Sequence, residues 1–534
     1  AGAVIVSGVV ALTLSPMMCS RLLTAAQSEG RFVRVLDRAF ERTRHFYERR
    51  LASTLKYRPV VLMVAGVVLL SCPYLYLKSF SELAPEEDQG IVFVTATAPE
   101  STNFDFLTAY TQGFDGIFGA VPEREDYFLI NGLGKPNNAI SGLLLKPWDE
   151  RTRSQKQVQM QVQQGLFALT GVQAFAFALP TLPGSSGGLP VQFVISSTAD
   201  HRAVAKALDE LMQAARRSGL FIVADTDLKF SKAEVTIKID RNKAAALGVG
   251  MENVGGALAG MLGGDYVNRF DIEGRSYKVI PQLARGFRLD PASIDRLYVK
   301  TAGGGMVPLS SFVTLEPAVA ANQLTQFNQL NSGTMSAIPI PGTSLGTALK
   351  WLNDKAKEIL PQGFQVDYQG ELRQLVKEGN TLLAAFAFAL VVIYLVLAAQ
   401  FESFRDPLII LVSVPMSICG ALIPLNLGMA TINIFTQVGL VTLIGLISKH
   451  GILMVEFANK LQVEEGLDRK SAIHKAAGIR LRPILMTTAA MVMGVVPLMT
   501  ATGAGAASRF NIGLVIASGM TIGTLFTLFV VPTV

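Results

Sequence analysis

Lys449 stands inside an apolar run, Ile434–Phe457, and no other residue constrains the chemistry of this chain as much. An ammonium at the centre of a bilayer costs at least ~2.5–3.5 kcal/mol, so it must face a partner or a water path rather than lipid. Ionisable residues at that depth are candidates for ion or proton coupling. His450 follows directly, and Arg480 and Thr487 are seven residues apart, two turns along one helix face. The sequence holds no Ser/His/Asp, Cys/His, phosphate-loop or HExxH arrangement, so neither an enzyme nor a bound cofactor is expected. Nor is a metal: Met160, Met212, Met251, Met261, Met306 and Met335 form no cluster, and His201 is the lone histidine among the polar segments flanking them.

The elements that must hold Lys449 are long apolar runs. Five lie towards the end of the chain: Thr381–Ala399, Pro407–Ile432, Ile434–Phe457, Pro483–Ser508 and Phe510–Val534. Each approaches or exceeds the ~18–20 residues that cross a hydrocarbon core about 30 Å thick. Two more, Ala1–Ser20 and Val60–Leu77, lie near the start. Between Lys78 and Gly379 the composition is that of a soluble domain, which explains how 50% hydrophobic and 16% charged residues share one chain of 534.

The net charge of +6 could signal nucleic acid, but its distribution argues against that partner. Arg21, Arg31, Arg34, Arg38, Arg42, Arg44, Arg49, Arg50, Lys56 and Arg58 crowd the connector between the first two runs, and Lys460–Arg482 is also basic. Short basic connectors stay cytoplasmic, and alternation then puts the large domain on the opposite side. Within the first connector, Phe32, Val35, Leu36, Ala39, Phe40, Phe46, Tyr47, Leu51 and Leu55 recur at near-helical spacing. That pattern fits an amphipathic helix on the membrane surface, or alternatively a solvated linker helix. Cys19, Cys72 and Cys419 all fall in apolar runs, which excludes a disulfide framework in the outer domain. The chain begins with Ala inside an apolar run, as a fragment or one half of something longer would.

The outer domain reads as two successive βαββαβ units. The first has strands Ile91–Ala98, Tyr127–Asn131, Gly142–Leu145 and Val172–Ala178, with helices Thr102–Phe118 and Ser154–Leu169. The second has strands Val191–Ser196, Phe221–Leu228 paired with Lys232–Asp240, Gly333–Ile340 and Gln365–Gln369, with helices His201–Arg217 and Ser344–Leu360. An inserted subdomain interrupts it at about Asp265–Val319. The expected division is a helix at 1–23, a surface helix at 24–57, a helix at 58–78, a first subdomain at 79–180, a second at 181–264 and 320–379, the insert at 265–319, and five helices at 380–534. The fold class is therefore an α-helical membrane bundle of about seven spans with a large α+β domain of tandem ferredoxin-like units.

Several motifs in order carry a family resemblance: Leu14-Ser15-Pro16, Pro85-Glu86-Glu87-Asp88-Gln89-Gly90, Tyr266-Val267-Asn268, Gln437-Val438-Gly439-Leu440, Gly445–Ala458, Arg480–Thr487 and Thr502-Gly503-Ala504-Gly505. Together they resemble the C-terminal half of a resistance-nodulation-division (RND) efflux pump of the hydrophobe/amphiphile branch. The resemblance implies helices six to twelve of twelve, two porter subdomains, and a docking subdomain for the insert. It further implies a homotrimer in the bacterial inner membrane, with a large periplasmic domain, a periplasmic adaptor and an outer-membrane channel. The implied activity is proton-driven antiport of amphiphilic or hydrophobic compounds. A protein-export accessory driven by the proton gradient is the alternative, disfavoured by the docking-like insert.

By the same resemblance Lys449, Arg480 and Thr487 are the proton relay, with acidic partners of Lys449 supplied by an N-terminal half. Arg480 also reads as a snorkelling residue at the cytoplasmic end, and Glu456 as an interfacial residue paired with a connector cation. The family pattern has Asn after the lysine where this chain has His450; that imidazole either alters the proton path or fills space, and filling space is the expectation. Phe128, Phe175 and Phe177 match substrate-lining positions, though a core face would show the same alternation. Gly132, Leu133, Gly134, Lys135 and Pro136 fall in the implied switch loop, shorter than in well-known members and without their phenylalanines. Gly142 stands roughly where another pocket aromatic is usual, which implies a narrower or more polar substrate range. Pro183-Gly184-Ser185-Ser186-Gly187-Gly188 is either a hinge between the subdomains or a passive linker.

Overall fold

In the computed structural model, which describes residues 2–22, 31–182, 188–321, 323–340 and 342–534, the apolar runs are helices and the polar middle folds as sheets. The run Pro183–Gly187 lies outside the described residues. The chain starts with α1 (Gly2–Leu22), α2 (Arg31–Lys56) and α3 (Arg58–Lys78). The first sandwich follows: β1 (Ile91–Thr97), α4 (Phe104–Thr111), α5 (Gly113–Gly119), β2 (Arg124–Asn131), β3 (Asn138–Leu145), α6 (Gln155–Phe167) and β4 (Gln173–Phe177). Its antiparallel sheet has the order β2-β3-β1-β4. Alternation decides the faces. Val92, Val94 and Ala96 point towards the helices and join Leu107, Phe114, Phe118, Leu143, Val158, Val162 and Leu166 in the core. The residues between them line the opposite face.

An ion pair closes one end of this sandwich. Glu123, only 5% exposed, accepts a 2.7 Å hydrogen bond from Arg153 Nε and a second from Nη2. The Arg153 guanidinium holds the Glu123 carboxyl down at about 2, against an ordinary 4.5. A carboxyl depressed by folding adds stability above its unfolded value and loses it as pH falls towards the folded one. Glu123→Gln therefore lowers the melting temperature at pH 7, and the gap to wild type closes between about pH 4.5 and about 2. Melts that differ equally at pH 7 and pH 2 would exclude this pair as the cause.

The second sandwich is built from β5 (Val191–Ser197), α7 (His201–Ser218), β6 (Phe221–Thr226), and, later in the chain, β14 (Leu330–Pro339), α10 (Leu345–Ile359) and β15 (Phe364–Tyr368). Between them come β7 (Phe230–Ile239), α8 (Arg241–Ala246), α9 (Met251–Leu258), β8 (Asn268–Ile272), β9 (Arg275–Val279), β10 (Tyr298–Lys300), β11 (Met306–Pro308), β12 (Val313–Ala321) and β13 (Thr325–Phe327). The order β6-β14-β5-β15 repeats that of the first sheet, with β13 on the same edge of β14 as β6. Residues Val204, Leu208, Leu211, Met212 and Ala215 of α7 follow helical spacing and bury against it.

The expected hairpin between Phe221–Leu228 and Lys232–Asp240 does not form. β6 pairs with β14, whereas β7 pairs with β12 from Ile239–Val313 to Phe230–Ala321. β14 stands between β6 and β5, in the place beside β6 that the hairpin would have given to β7. Ile237 and Ile239 pack instead with Val249, Val254, Val299, Leu309, Phe312 and Val313. The separately packed unit thus begins at β7, earlier than the Asp265 expected from sequence.

The remaining helices are α11 (Gly370–Phe401), α12 (Asp406–Leu411), α13 (Ser413–Asn426), α14 (Ile434–Glu464), α15 (Arg469–Met499) and α16 (Ala506–Val530). Among the described residues six helical segments are long and apolar enough to cross a membrane: Arg58–Lys78, Ala384–Phe401, Arg405–Asn426, Ile434–Glu465, Arg469–Met499 and Ala506–Val530. α15 starts well before the expected Pro483, because Asp468 caps it and its basic first turns extend beyond the apolar run. α16 is central, packing against α13, α14 and α15. α2 lies across their ends: Tyr47, Leu51 and Leu55 bury against Met454, Val455, Ala477, Leu481, Ile484, Leu528 and Val531. The Tyr47 hydroxyl donates to Leu528 O at 2.6 Å, and Arg482 pairs with Asp37 at 2.9 Å. α2 is therefore tied to the bundle through one face.

Candidate coupling and substrate sites

Asn433 fixes the start of α14, accepting from the amides of Phe435 and Thr436 while Thr436 Oγ1 accepts from its own amide. Lys449 then lies about 22 Å along the helix axis from Ile434. Val438, Thr442, Gly445, Lys449 and Glu456 form an exposed stripe at helical spacing. Among the described residues Lys449 has no ion-pair partner, and Glu456 does not find the connector cation expected for it.

His450 points the other way and is fully buried. Its Nε2 lies 3.4 Å from Thr487 Oγ1 on α15, and its Nδ1 lies 3.4 Å from Thr524 Oγ1 on α16. Arg480 sits two turns from Thr487 towards α2, with its guanidinium 4.4 Å from the centre of the Phe457 ring. Its Nε is buried with no hydrogen-bond partner among the described residues. Arg480 and Thr487 do share the side of α15 that meets α14. The antiparallel register brings Thr487 to His450 and Arg480 to Phe457, while Lys449 faces away.

In the first sandwich the phenylalanines lie on the sheet face opposite the helices. Register aligns Phe128, Gly142, Phe93 and Phe177 across all four strands. Ring centroids are 6.1 Å apart for Phe93–Phe128 and 6.0 Å for Phe93–Phe177. The Phe128 ring fills the space over Gly142, where an added Cβ would stand 2.7 Å from Phe128 Cζ. Phe175 lies in the next row with Thr95, Ile140 and Ile130. These phenylalanines thus lie on the face away from the helix-covered core, Phe177 buried and Phe128 and Phe175 half-buried, and Phe93 shares the row of Phe128 and Phe177.

The 132–137 loop joins β2 to β3 at the end of this face. Gly132 and Gly134 take positive φ values of 80° and 75°, and Leu133 is 55% exposed at the tip. Asn137 anchors the loop by donating to Ala98 O at 2.9 Å. Burial pushes the Asp227 carboxyl of the second sandwich up, opposed first by Thr334 and then by the charge of Lys135.

Two adjacent carboxylates join the sandwiches to the bundle. Glu87, 5% exposed, accepts from the amides of Ala507 (3.2 Å) and Ser508 (2.7 Å) and from the Ser508 hydroxyl at the start of α16. Asp88 accepts from Gln155 N (2.8 Å) at the start of α6, and from Arg151 Nη2 (2.9 Å) and Trp148 Nε1 (3.1 Å). Burial opposes its charge, but Arg151 and the Gln155 amide hold the carboxyl below its usual range. α11 is the second link, since Leu372 in its first turn is buried in the core of the second sandwich. Nearby, burial pushes the Glu371 carboxyl up to about 7, reinforced by Glu86 and Glu82. The motifs Pro85–Gly90 and Thr502–Gly505 mark both sides of this link in the sequence, but not that they meet, because the members are far apart in the chain.

Residues 1–534 match the AcrB/AcrD/AcrF family, with the match running the length of the chain. The chain belongs to that family. Members of the AcrB/AcrD/AcrF family are RND transporters rather than enzymes. The chain is 42% identical over 540 residues to an uncharacterized transporter of Haemophilus influenzae, an alignment taking in 100% of this chain and 52% of that protein. It is 31% identical over 551 residues to the multidrug export protein AcrF of Escherichia coli K12, covering 99% of this chain and 53% of AcrF. Against the toluene efflux pump membrane transporter TtgB of Pseudomonas putida it is 30% identical over 542 residues, covering 98% and 51%. The chain spans about half the length of these relatives.

Proposed function

We propose that this chain is part of a proton-driven RND efflux pump of the bacterial inner membrane, exporting amphiphilic or hydrophobic compounds in exchange for protons. The observation that carries this reading is Lys449, a cation far along a membrane-length helix on an exposed stripe with no ion-pair partner among the described residues. A carboxylate-bearing helix docking on that stripe would pair with the ammonium, and protonation of the carboxylate would release it. Lys449, Thr487 and Arg480 are the residues assigned to that exchange. In this reading α1 is a seventh span, α2 lies on the cytoplasmic face, and the sandwiches are periplasmic porter subdomains. The unit from β7 to β12 docks towards an outer-membrane channel, and a homotrimer works with a periplasmic adaptor.

The row Phe128–Phe93–Phe177, with Phe175 beside it, is the proposed substrate face, and residues 132–136 are a gate at its end. Flat aromatic surfaces accept many amphiphiles through buried area and loose stacking. The test uses a transporting assembly containing this chain, reconstituted in proteoliposomes with an amphiphilic fluorescent dye. Efflux is expected to stop when the pH gradient is collapsed. Phe128→Ala and Phe177→Ala should each weaken dye transport about 2–10-fold, the worth of one aromatic contact. Efflux that persists without a gradient would refute the proton-driven reading.

A further inference from the structure

Both ring nitrogens of His450 meet hydroxyls, and the two hydroxyls belong to different helices. A buried imidazole must satisfy both nitrogens, and here both partners are hydroxyls, each able to donate or to accept. Thr487 has one hydroxyl hydrogen, and its Oγ1 lies 2.9 Å from Pro483 O and 3.0 Å from Ile484 O. With that hydrogen on the backbone, the hydroxyl accepts from His450 and Nε2 carries the proton of the neutral ring.

Nδ1 has a different neighbourhood. Thr524 Oγ1 stands between Nδ1 and Thr488 Oγ1, 3.1 Å from the latter, and Thr488 Oγ1 is 2.9 Å from Ile484 O. With Nδ1 bare, Thr524 donates to it and accepts from Thr488. With Nδ1 protonated, the ring donates to Thr524, Thr524 donates to Thr488, and Thr488 donates to Ile484 O. Every group is satisfied in both arrangements, and two hydroxyl rotations interconvert them. The 3.4 Å separations from the ring are at the long end of hydrogen-bond range and leave room for either polarity.

The charges around the ring set the condition for its protonation. On α14, Lys449 is the adjacent residue, about 100° round the helix, and Glu456 is nearly two turns on. From α15 comes Arg480, two turns from Thr487; α16 has no charged residue beyond Arg509 near its start. α12 contributes Asp406 at its first position, and α13 has no charged residue. Lys449 is next to the ring in the chain, so a second positive charge beside it is admitted only when Lys449 is neutralised by an acidic partner.

Resting on the proton-coupled reading above, we propose that His450 is a proton-accepting member of the coupling site. Nδ1 takes a proton from the aqueous path while Lys449 is paired, Thr524 and Thr488 turn to receive it, and the proton leaves when Lys449 is released. The test measures the initial rate of dye efflux against pH in the proteoliposomes described above. The wild-type profile should show an inflection between about pH 5 and 8 that His450→Gln lacks. Thr524→Val keeps the ring but removes the acceptor of Nδ1–H, and should move that inflection down by about one pH unit, tenfold in proton affinity. A His450→Gln profile superimposable on wild type overturns the inference. Should His450→Gln fail to assemble, an unshifted Thr524→Val profile overturns it equally. Lys449→Ala separates the two levels: if that variant transports, the proton-coupled reading fails, and if it does not while the His450→Gln profile is unchanged, only the role of His450 fails.

Discussion

Lys449→Ala abolishes gradient-driven efflux in a transporting assembly that contains this chain, while assembly itself survives. The side chain lies on an exposed stripe outside the buried clusters, so its loss leaves the α14–α15–α16 core intact. In the proposed coupling, what it removes is the counter-charge of a carboxylate desolvated by docking. Breaking one side of a buried ion pair costs about 3–5 kcal/mol, because the remaining charge is left uncompensated. That is more than two orders of magnitude in any equilibrium that depends on the pair. Dye efflux under an imposed pH gradient measures it, with size-exclusion elution as the check on assembly. Efflux at the wild-type rate in Lys449→Ala would end the coupling assignment.

Gly523→Val should be the most destabilising single change in the membrane bundle. α13 and α16 approach closely along Gly420, Gly519 and Gly523, the small-residue spacing that lets membrane helices meet backbone to backbone. A Cβ on Gly523 would stand 2.7 Å from Ser417 Cβ and 3.0 Å from Ser417 Cα, so a whole helix must move. Ser417 cannot swing away cheaply, because its hydroxyl donates to Gly519 O at 2.7 Å in the same seam. Overpacking typically costs 1–3 kcal/mol, and here about 3 kcal/mol or more is expected, since α16 also packs against α14 and α15. Thermal melts in detergent read the loss. Gly66→Ala on α3, where no atom lies within 4 Å of an added Cβ, is the control and should melt like wild type. Equal melting temperatures for Gly523→Val and Gly66→Ala would contradict the close approach.

The sequence was informative wherever one element's own periodicity carries the information. Membrane-length helices follow from local transfer free energy over enough residues, and six of the seven expected runs lie in such helices, with α15 starting 14 residues before its apolar run. Period-two alternation put Phe175 and Phe177 on one face, and helical spacing gave α2 its buried residues Tyr47, Leu51 and Leu55. The repeated βαββαβ order is equally legible, since each strand and helix is a local pattern. Which face of the first sheet is open was not legible, because alternation names two faces without saying which one the helices cover.

Register between elements was decided by the tertiary structure alone. His450 rather than Lys449 meets Thr487, because two antiparallel helices can slide or rotate by a residue without changing either one's own pattern. The same holds for β7 leaving β6 for β12, for Phe128 lying over Gly142, and for Glu87 reaching Ser508 across some four hundred residues. Local sequence fixes what each element is and which of its sides is apolar. The meeting of particular side chains depends on packing many elements at once, and that competition is settled only when the whole chain has found its contacts.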